Sequence, residues 1–341
     1  MGWRLRIVHT TEVSYAEAVR SSFNEVRMTP LTLPTQVTLE SRVTAGAGIP
    51  IWTYFDYWGT YVSVFDIADP HENLVIQAQA TVETGSELGG PPPVPLPWDS
   101  IRTRAGASRL LEYLLPTPLT TLSQDVAASV LDDLGPAGKH PAGAHRADRH
   151  RADPVETAEE IAARVRSHVR YMTGTTGVRT NAQDAWDQGQ GVCQDMAHAT
   201  VALFREAGLP ARYVSGYLHA DPSAEPGRTI AGQSHAWAEY WAGSWLPVDP
   251  TSGAAVRERH VVVGRGRDYA DVSPMKGIYH GTPASTMRVT VEVTRLALRQ
   301  PRLTSAELRG QHLLDDLPGR GGGIGVVGRG AFGEEGVPGA G

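Results

Sequence analysis

The sequence predicts an α+β protein in two parts: an antiparallel β-sandwich, then a mixed domain in which a central helix packs on an antiparallel sheet. Three observations carry this. Strand-like alternation fills the chain to about Glu83, a proline cluster interrupts it at 89–95, and a helix apolar on nearly every side follows the only cysteine, Cys193. The boundaries follow: a β-rich domain over 1–88, a Pro/Gly-rich linker over 89–100, a second domain over 101–300 with an insertion at 135–154, and a glycine-rich tail over 301–341.

The first part is read from period-2 alternation. Leu5, Ile7 and His9 alternate with polar neighbours, and the pattern recurs in Thr38–Val43, Tyr61–Ile67 and Leu74–Val82. Short strands separated by turn residues give a sandwich of about ninety residues. Gly89-Gly90-Pro91-Pro92-Pro93-Val94-Pro95 fits neither a sheet nor a helix, so the domain boundary belongs there.

Helical text follows over Ser108–Leu115, ending at Pro116, and again from about Ser123 to Leu134. Two His-Arg-Ala-Asp repeats, beginning at His145 and His150, carry both charge signs and almost no apolar side chains, and so read as a solvated insertion. From Thr157 the spacing of Ala158, Ile161, Ala162, Val165 and Val169 marks an amphipathic helix ending near Tyr171, and a turn-rich stretch over 173–190 leads to Cys193. Ala211–Leu218 reads as a strand, 221–233 as a polar loop, and 287–298 as a strand completing the second sheet.

Composition bounds the function. The 341 residues, 41% of them hydrophobic, suffice for two cores, and a formal charge of -6 argues against a nucleic-acid partner. No apolar run is long enough to span a bilayer, and the N-terminus reads as strand rather than signal peptide, so no membrane partner and a cytoplasmic location are expected. One cysteine excludes an internal disulfide and any cysteine-rich metal site.

Cys193 follows Gly189 and Gly191 and opens a segment that stops at Gly208-Leu209-Pro210, which makes it the first residue of a helix. Unpaired N–H groups and the positive end of the helix dipole at that position favour a thiolate over a thiol. Downstream, Ser234–Trp241 and Trp245–Asp249 read as strands joined by Ala242-Gly243-Ser244. A turn of one or three residues puts His235 and Asp249 on the same face; a two-residue turn separates them.

A thiol at a helix start, an imidazole on a strand and a carboxylate on its neighbour supply the three roles of acyl transfer. Cys193 attacks a carbonyl, His235 holds the thiolate and protonates the leaving group, and Asp249 fixes the imidazole. The backbone N–H of Cys193 is the natural first oxyanion donor, with Gln188 or Gln190 as candidates for a second.

Gly191-Val192-Cys193-Gln194-Asp195, Gly208–Tyr217, Ser234-His235-Ala236-Trp237 and Val248-Asp249-Pro250-Thr251 together resemble the bacterial transglutaminase-like superfamily. The resemblance covers Thr157 to about Leu296, and Phe23–Pro30 resembles the β-rich domain that precedes the catalytic domain in bacterial members. It implies a papain-like core with Cys193, His235 and Asp249 as triad. The family includes crosslinking transferases, peptidases, amidases and members without demonstrated catalysis.

The expected activity is that of a cysteine hydrolase or acyltransferase acting on the amide carbonyl of a peptide or protein through a thioester, resolved by water or by an amine. No cofactor and no metal enter this chemistry. The alternative is a binding or scaffold protein that keeps the fold while its thiol is idle. Gly323-Ile324-Gly325-Val326-Val327-Gly328 in the tail spells a dinucleotide fingerprint but has no βαβ unit around it.

Overall fold

Strand β1 (Trp3–Val19) buries Trp3, Leu5, Ile7, His9, Thr11, Val13 and Tyr15 in strict alternation, so one face of a long strand is committed to a core. In the computed structural model, which describes residues 2–85, 94–106, 109–132, 134, 153–174, 176–281 and 284–298, five more strands follow it. They are β2 (Ser22–Val26), β3 (Gln36–Thr44), β4 (Trp52–Phe55), β5 (Tyr61–Ile67) and β6 (His71–Thr84). β6 pairs antiparallel with β1 on one side and with β3 on the other, while β2, β5 and β4 build a second antiparallel sheet. Val13, Tyr15, Val26, Phe65, Leu74 and Ile76 close the core between them. The sequence pattern anticipates β1, β3, β5 and β6. It misses β2 and β4, which at five and four residues are too short for alternation to register.

The helical layer begins with α1 (Trp98–Gly106), which starts inside the stretch assigned to the linker. Trp98 and Ile101 are buried in the core, so packing holds this helix despite the prolines just before it. The helix expected up to Pro116 is instead a 3-10 turn over Arg109–Tyr113 with no buried residue. Without a buried face, an α-helical register gains nothing there.

α2 (Gln124–Asp132) and α3 (Pro154–His168) follow, the latter capped by Asp153, whose Oδ1 accepts from the Val155 N–H. Strand β7 (Arg170–Tyr171) comes next. Within the stretch read as turns lies α4 (Ala182–Gln188), fixed by a reciprocal cap between Asn181 and Asp184 and closed by Gly189 at φ 61°. Seven residues with two buried alanines leave too little apolar period to see. Residues 135–152 of the expected insertion, and the tail from 299, lie outside the described residues.

After strand β8 (Gln190–Gly191), α5 (Cys193–Ala207) has the predicted bounds and is buried along nearly its whole length, ending at Gly208 with φ 90°. Met196, Val201, Leu203 and Phe204 join Ile161, Val165, Ile101 and Tyr240 in one cluster. Buried Arg205 donates to the carbonyls of Tyr113, Ala211 and Arg267 and to Thr120 Oγ1, tying α5 to the loops around it.

The helix lies against strands β9 (Ala211–Leu218) and β10 (Thr229–Trp241); β11 (Trp245–Val248), β12 (His260–Gly266), α6 (Tyr269–Val272), β13 (Met275–Tyr279) and β14 (Ser285–Leu296) complete the described chain. β10 starts inside the stretch read as a polar loop: Thr229–Gly232 pair with β14, then Gln233–Tyr240 pair with β9. Hydrogen bonding to two sheet neighbours in turn extends the strand where side chains alone read as loop. The larger sheet runs β12-β9-β10-β14-β1-β6-β3, with β11 also on β10, and the smaller runs β13-β2-β5-β4. β14 joins the sheet of β10 as expected, and along its other edge it pairs with β1 from Arg4 to Tyr15.

Glu239 on β10 is buried between Arg212, whose Nε donates to it at 2.6 Å, and Arg265, at 3.2 Å. Burial alone would raise this carboxyl; Arg265 and Arg212 hold it below its usual range. Glu239→Ala takes the counter-charge away from both guanidinium groups. It is expected to lower the unfolding free energy by about 3–5 kcal/mol, as measured by urea denaturation.

Candidate active site

The turn between β10 and β11 sets the geometry of the site. Trp241 pairs with Trp245, so the three residues Ala242-Gly243-Ser244 make the turn, with Gly243 at φ 95°. This is one of the two lengths that place His235 and Asp249 on the same face. Continuing the register puts Asp249 opposite Trp237 and diagonal to His235, and His235 Nε2 lies 3.0 Å from Asp249 Oδ2.

Asp249 is 1% exposed, and both of its oxygens are engaged. Oδ2 also accepts from Ser252 Oγ at 2.7 Å, and Oδ1 accepts from the Thr251 N–H at 2.9 Å. With Nε2 on Asp249, Nδ1 is the ring nitrogen of His235 left free to serve Cys193, which is among the groups that raise the imidazole. Cys193 is half-buried at the start of α5 and packs against a cluster containing Tyr213 and Ala236.

The first turn of α5 is held by Asp195. Its Oδ2 accepts from the Val192 N–H at 2.8 Å and from Thr176 Oγ1 at 2.6 Å. Burial raises this carboxyl against the lowering effect of those two donors. Gly191 is required beside it, because a Cβ there would stand 2.8 Å from the Asp195 side chain. Gly216 is required on the sheet: it pairs with His235, and a Cβ on it would collide with the Val261 carbonyl and stand 2.7 Å from the Trp237 ring.

The structure brings Cys193, His235 and Asp249 together. Gln188 is exposed at the end of α4, and Gln190 is half-buried in β8, just before the thiol. The sequence pattern assigns no part to Asp195, Ser252 or His260. No short-range signal carries His260, which reaches the site from the start of β12, on the far side of β9.

His235, Asp249 and His260 hold one donor atom each within 4.8 Å of one another, close enough to share a cation. Asp249 Oδ2 already accepts from His235 Nε2 and Ser252 Oγ, and such a cation would have to displace both bonds.

Residues 142–250, which contain all three side chains, match the model of the transglutaminase-like superfamily, and residues 5–83 match that of the bacterial transglutaminase-like N-terminal region. The chain belongs to the transglutaminase-like superfamily. An uncharacterized protein of Mycobacterium leprae is 40% identical over 295 residues, 86% of this chain and 100% of that one. A protein-glutamine gamma-glutamyltransferase of Pseudomonas aeruginosa is 33% identical over 109 residues, 29% of this chain and 16% of that protein.

A solved structure from Cytophaga hutchinsonii, provisionally named a cysteine protease, shares the fold with TM-score 0.64 at 19% identity, covering 88% of this chain and 94% of that one. Membership of the transglutaminase-like superfamily supports an activity of the cysteine-dependent acyl-transfer type. No helix among the described residues is long and apolar enough to cross a membrane.

Burial by itself would lower the His235 imidazolium, but hydrogen bonds to Asp249 and Cys193 overcome it and push it up to about 9. Asp249 is held far below the carboxylate range: burial opposes this, and His235, His260 and Ser252 outweigh it. A raised histidine stabilises the fold fully below its unfolded value of about 6.5, and that stability is lost as pH rises through about 9. The unfolding free energy is therefore expected to fall between these values in the wild type and to stay flatter in His235→Ala, as urea titrations across the range will read.

Proposed function

We propose that this protein is a cysteine acyl-transfer enzyme acting on the amide carbonyl of a peptide or protein. The observation that carries the reading is the imidazole of His235, bonded through Nε2 to a buried carboxylate and left with Nδ1 for the thiol. Cys193 attacks the carbonyl carbon. The tetrahedral intermediate collapses as His235 gives its proton to the departing amine, leaving a thioester on Cys193.

Cys193 is the first residue of α5, so its N–H has no acceptor within the helix and suits a developing oxyanion. Of the two glutamines, half-buried Gln190 is better situated than exposed Gln188 for a second donor. Asp249 keeps the imidazole oriented and stabilises its charged form. The roles assigned here call for no cofactor or metal, and neither a nucleic acid nor a membrane is proposed as partner. A lone thiol suits the reducing cytoplasm, the compartment we propose.

Cys193→Ala removes one sulfur and should abolish hydrolysis or transfer of an activated acyl donor while leaving the melting curve in place. Activity that survives would point to the scaffold reading. Asp249→Asn should bind the same donor with turnover lower by about 100-fold or more, and an unchanged turnover number would remove Asp249 from the machinery.

Water is the proposed acceptor of the thioester. A crosslinking enzyme must exclude water, and among the aromatic residues that could wall such a channel Trp237 is fully buried as core. With millimolar alkyl amine, on the order of a typical substrate affinity, free acid is expected to exceed amide product. Mass spectrometry of the products checks this, and an excess of amide would make amine transfer the primary reaction.

A further inference from the structure

His260 opens β12 and is buried to 5% exposure. Its Nδ1 accepts from the Arg257 N–H at 3.3 Å, so the neutral ring carries its proton on Nε2. That Nε2–H lies 3.5 Å from Asp249 Oδ2, at the outer edge of hydrogen-bonding distance, and has no other partner. A buried donor left this way costs free energy, and its persistence asks for a reason.

The sheet makes room for the approach. Gly216 on β9 lies between β10 and β12, and its missing side chain leaves space over the sheet for the Trp237 ring. There the Trp237 ring meets His260 edge-on at 5.4 Å and stacks with His235 at 6.0 Å. The charged or titratable groups facing His260 are Asp249, His235 and Arg259. Burial, with His235 and Arg259, keeps His260 neutral against the pull of Asp249.

Resting on the acyl-transfer reading, we propose that His260 is a positioning residue, a second imidazole whose Nε2–H is aimed at Asp249 and holds that carboxylate in line with His235. It is assigned no contact with the substrate. At 3.5 Å the contact is an oriented dipole on a charge between two buried groups. His260 thus restricts the ways in which Asp249 can turn from His235.

The test uses the full-length chain, whose single thiol makes alkylation by iodoacetamide specific to Cys193. Rates are followed against pH for the wild type, His235→Ala, Asp249→Asn, His260→Leu and His260→Gln. Leucine removes the donor, whereas the terminal amide of glutamine restores an N–H near the position of Nε2.

The expected result is a loss of about tenfold in the neutral-pH rate of His260→Leu, the size of a lost hydrogen bond to a charged group. The alkaline edge of its profile should move down from that of the wild type. His260→Gln should recover most of both. A donor that merely competed with His235 for the carboxylate would move the edge up when removed, so an unmoved or raised edge in His260→Leu overturns the proposal. Should the leucine variant not fold, the glutamine variant decides: a profile like that of the wild type supports the role, and one like that of Asp249→Asn overturns it. If alkylation proceeds at the same rate in His235→Ala as in the wild type, the acyl-transfer reading itself fails and takes this inference with it. Dependence on His235 without dependence on His260 defeats the inference alone.

Discussion

The Asp249 carboxylate has almost no contact with solvent and must find donors for both oxygens inside the protein. It finds them in its own loop, from the Thr251 N–H and Ser252 Oγ, and in His235 Nε2 across the hairpin. Satisfying this one buried charge therefore fixes the loop after β11, the rotation of the imidazole and the nitrogen left for the thiol. An apolar residue here would leave the loop donors and the ring without a common acceptor.

That arrangement depends on backbone closeness, which two glycines provide. Gly191 lets the Asp195 side chain fold back under the first turn of α5, so Val192 and Thr176 clamp the segment that presents Cys193. Gly216 lets the Trp237 ring lie over β9, beside His235 and His260. In both places the shape of the site comes from a missing Cβ as much as from any side chain present.

Elements that announce themselves locally are legible in the sequence. α5 has glycine and proline signals at its ends, which give its bounds to the residue, and the shared face of His235 and Asp249 follows from alternation once the turn length is known. Asp195 stays hidden because the usual capping signature needs a polar side chain at the cap, and Val192 has none. His260 stays hidden because its neighbours, His235 and Trp237 on β10 and Asp249 after β11, lie across β9, and no spacing along the chain encodes such a contact. The same holds for the start of β10, whose first residues are strand only because β14 lies alongside.

β14 carries ladder hydrogen bonds to both the β-rich region and the sheet of β10, with β1 on one edge and the beginning of β10 on the other. Arg4 pairs with Leu296, so during synthesis β1 emerges long before its partner and keeps an open edge until β14 has been made. Closing so long a loop is entropically costly and slow compared with forming hairpins. The strand that bears His235 is likewise completed only then. A nascent chain consequently carries its thiol well before a finished sheet stands behind it.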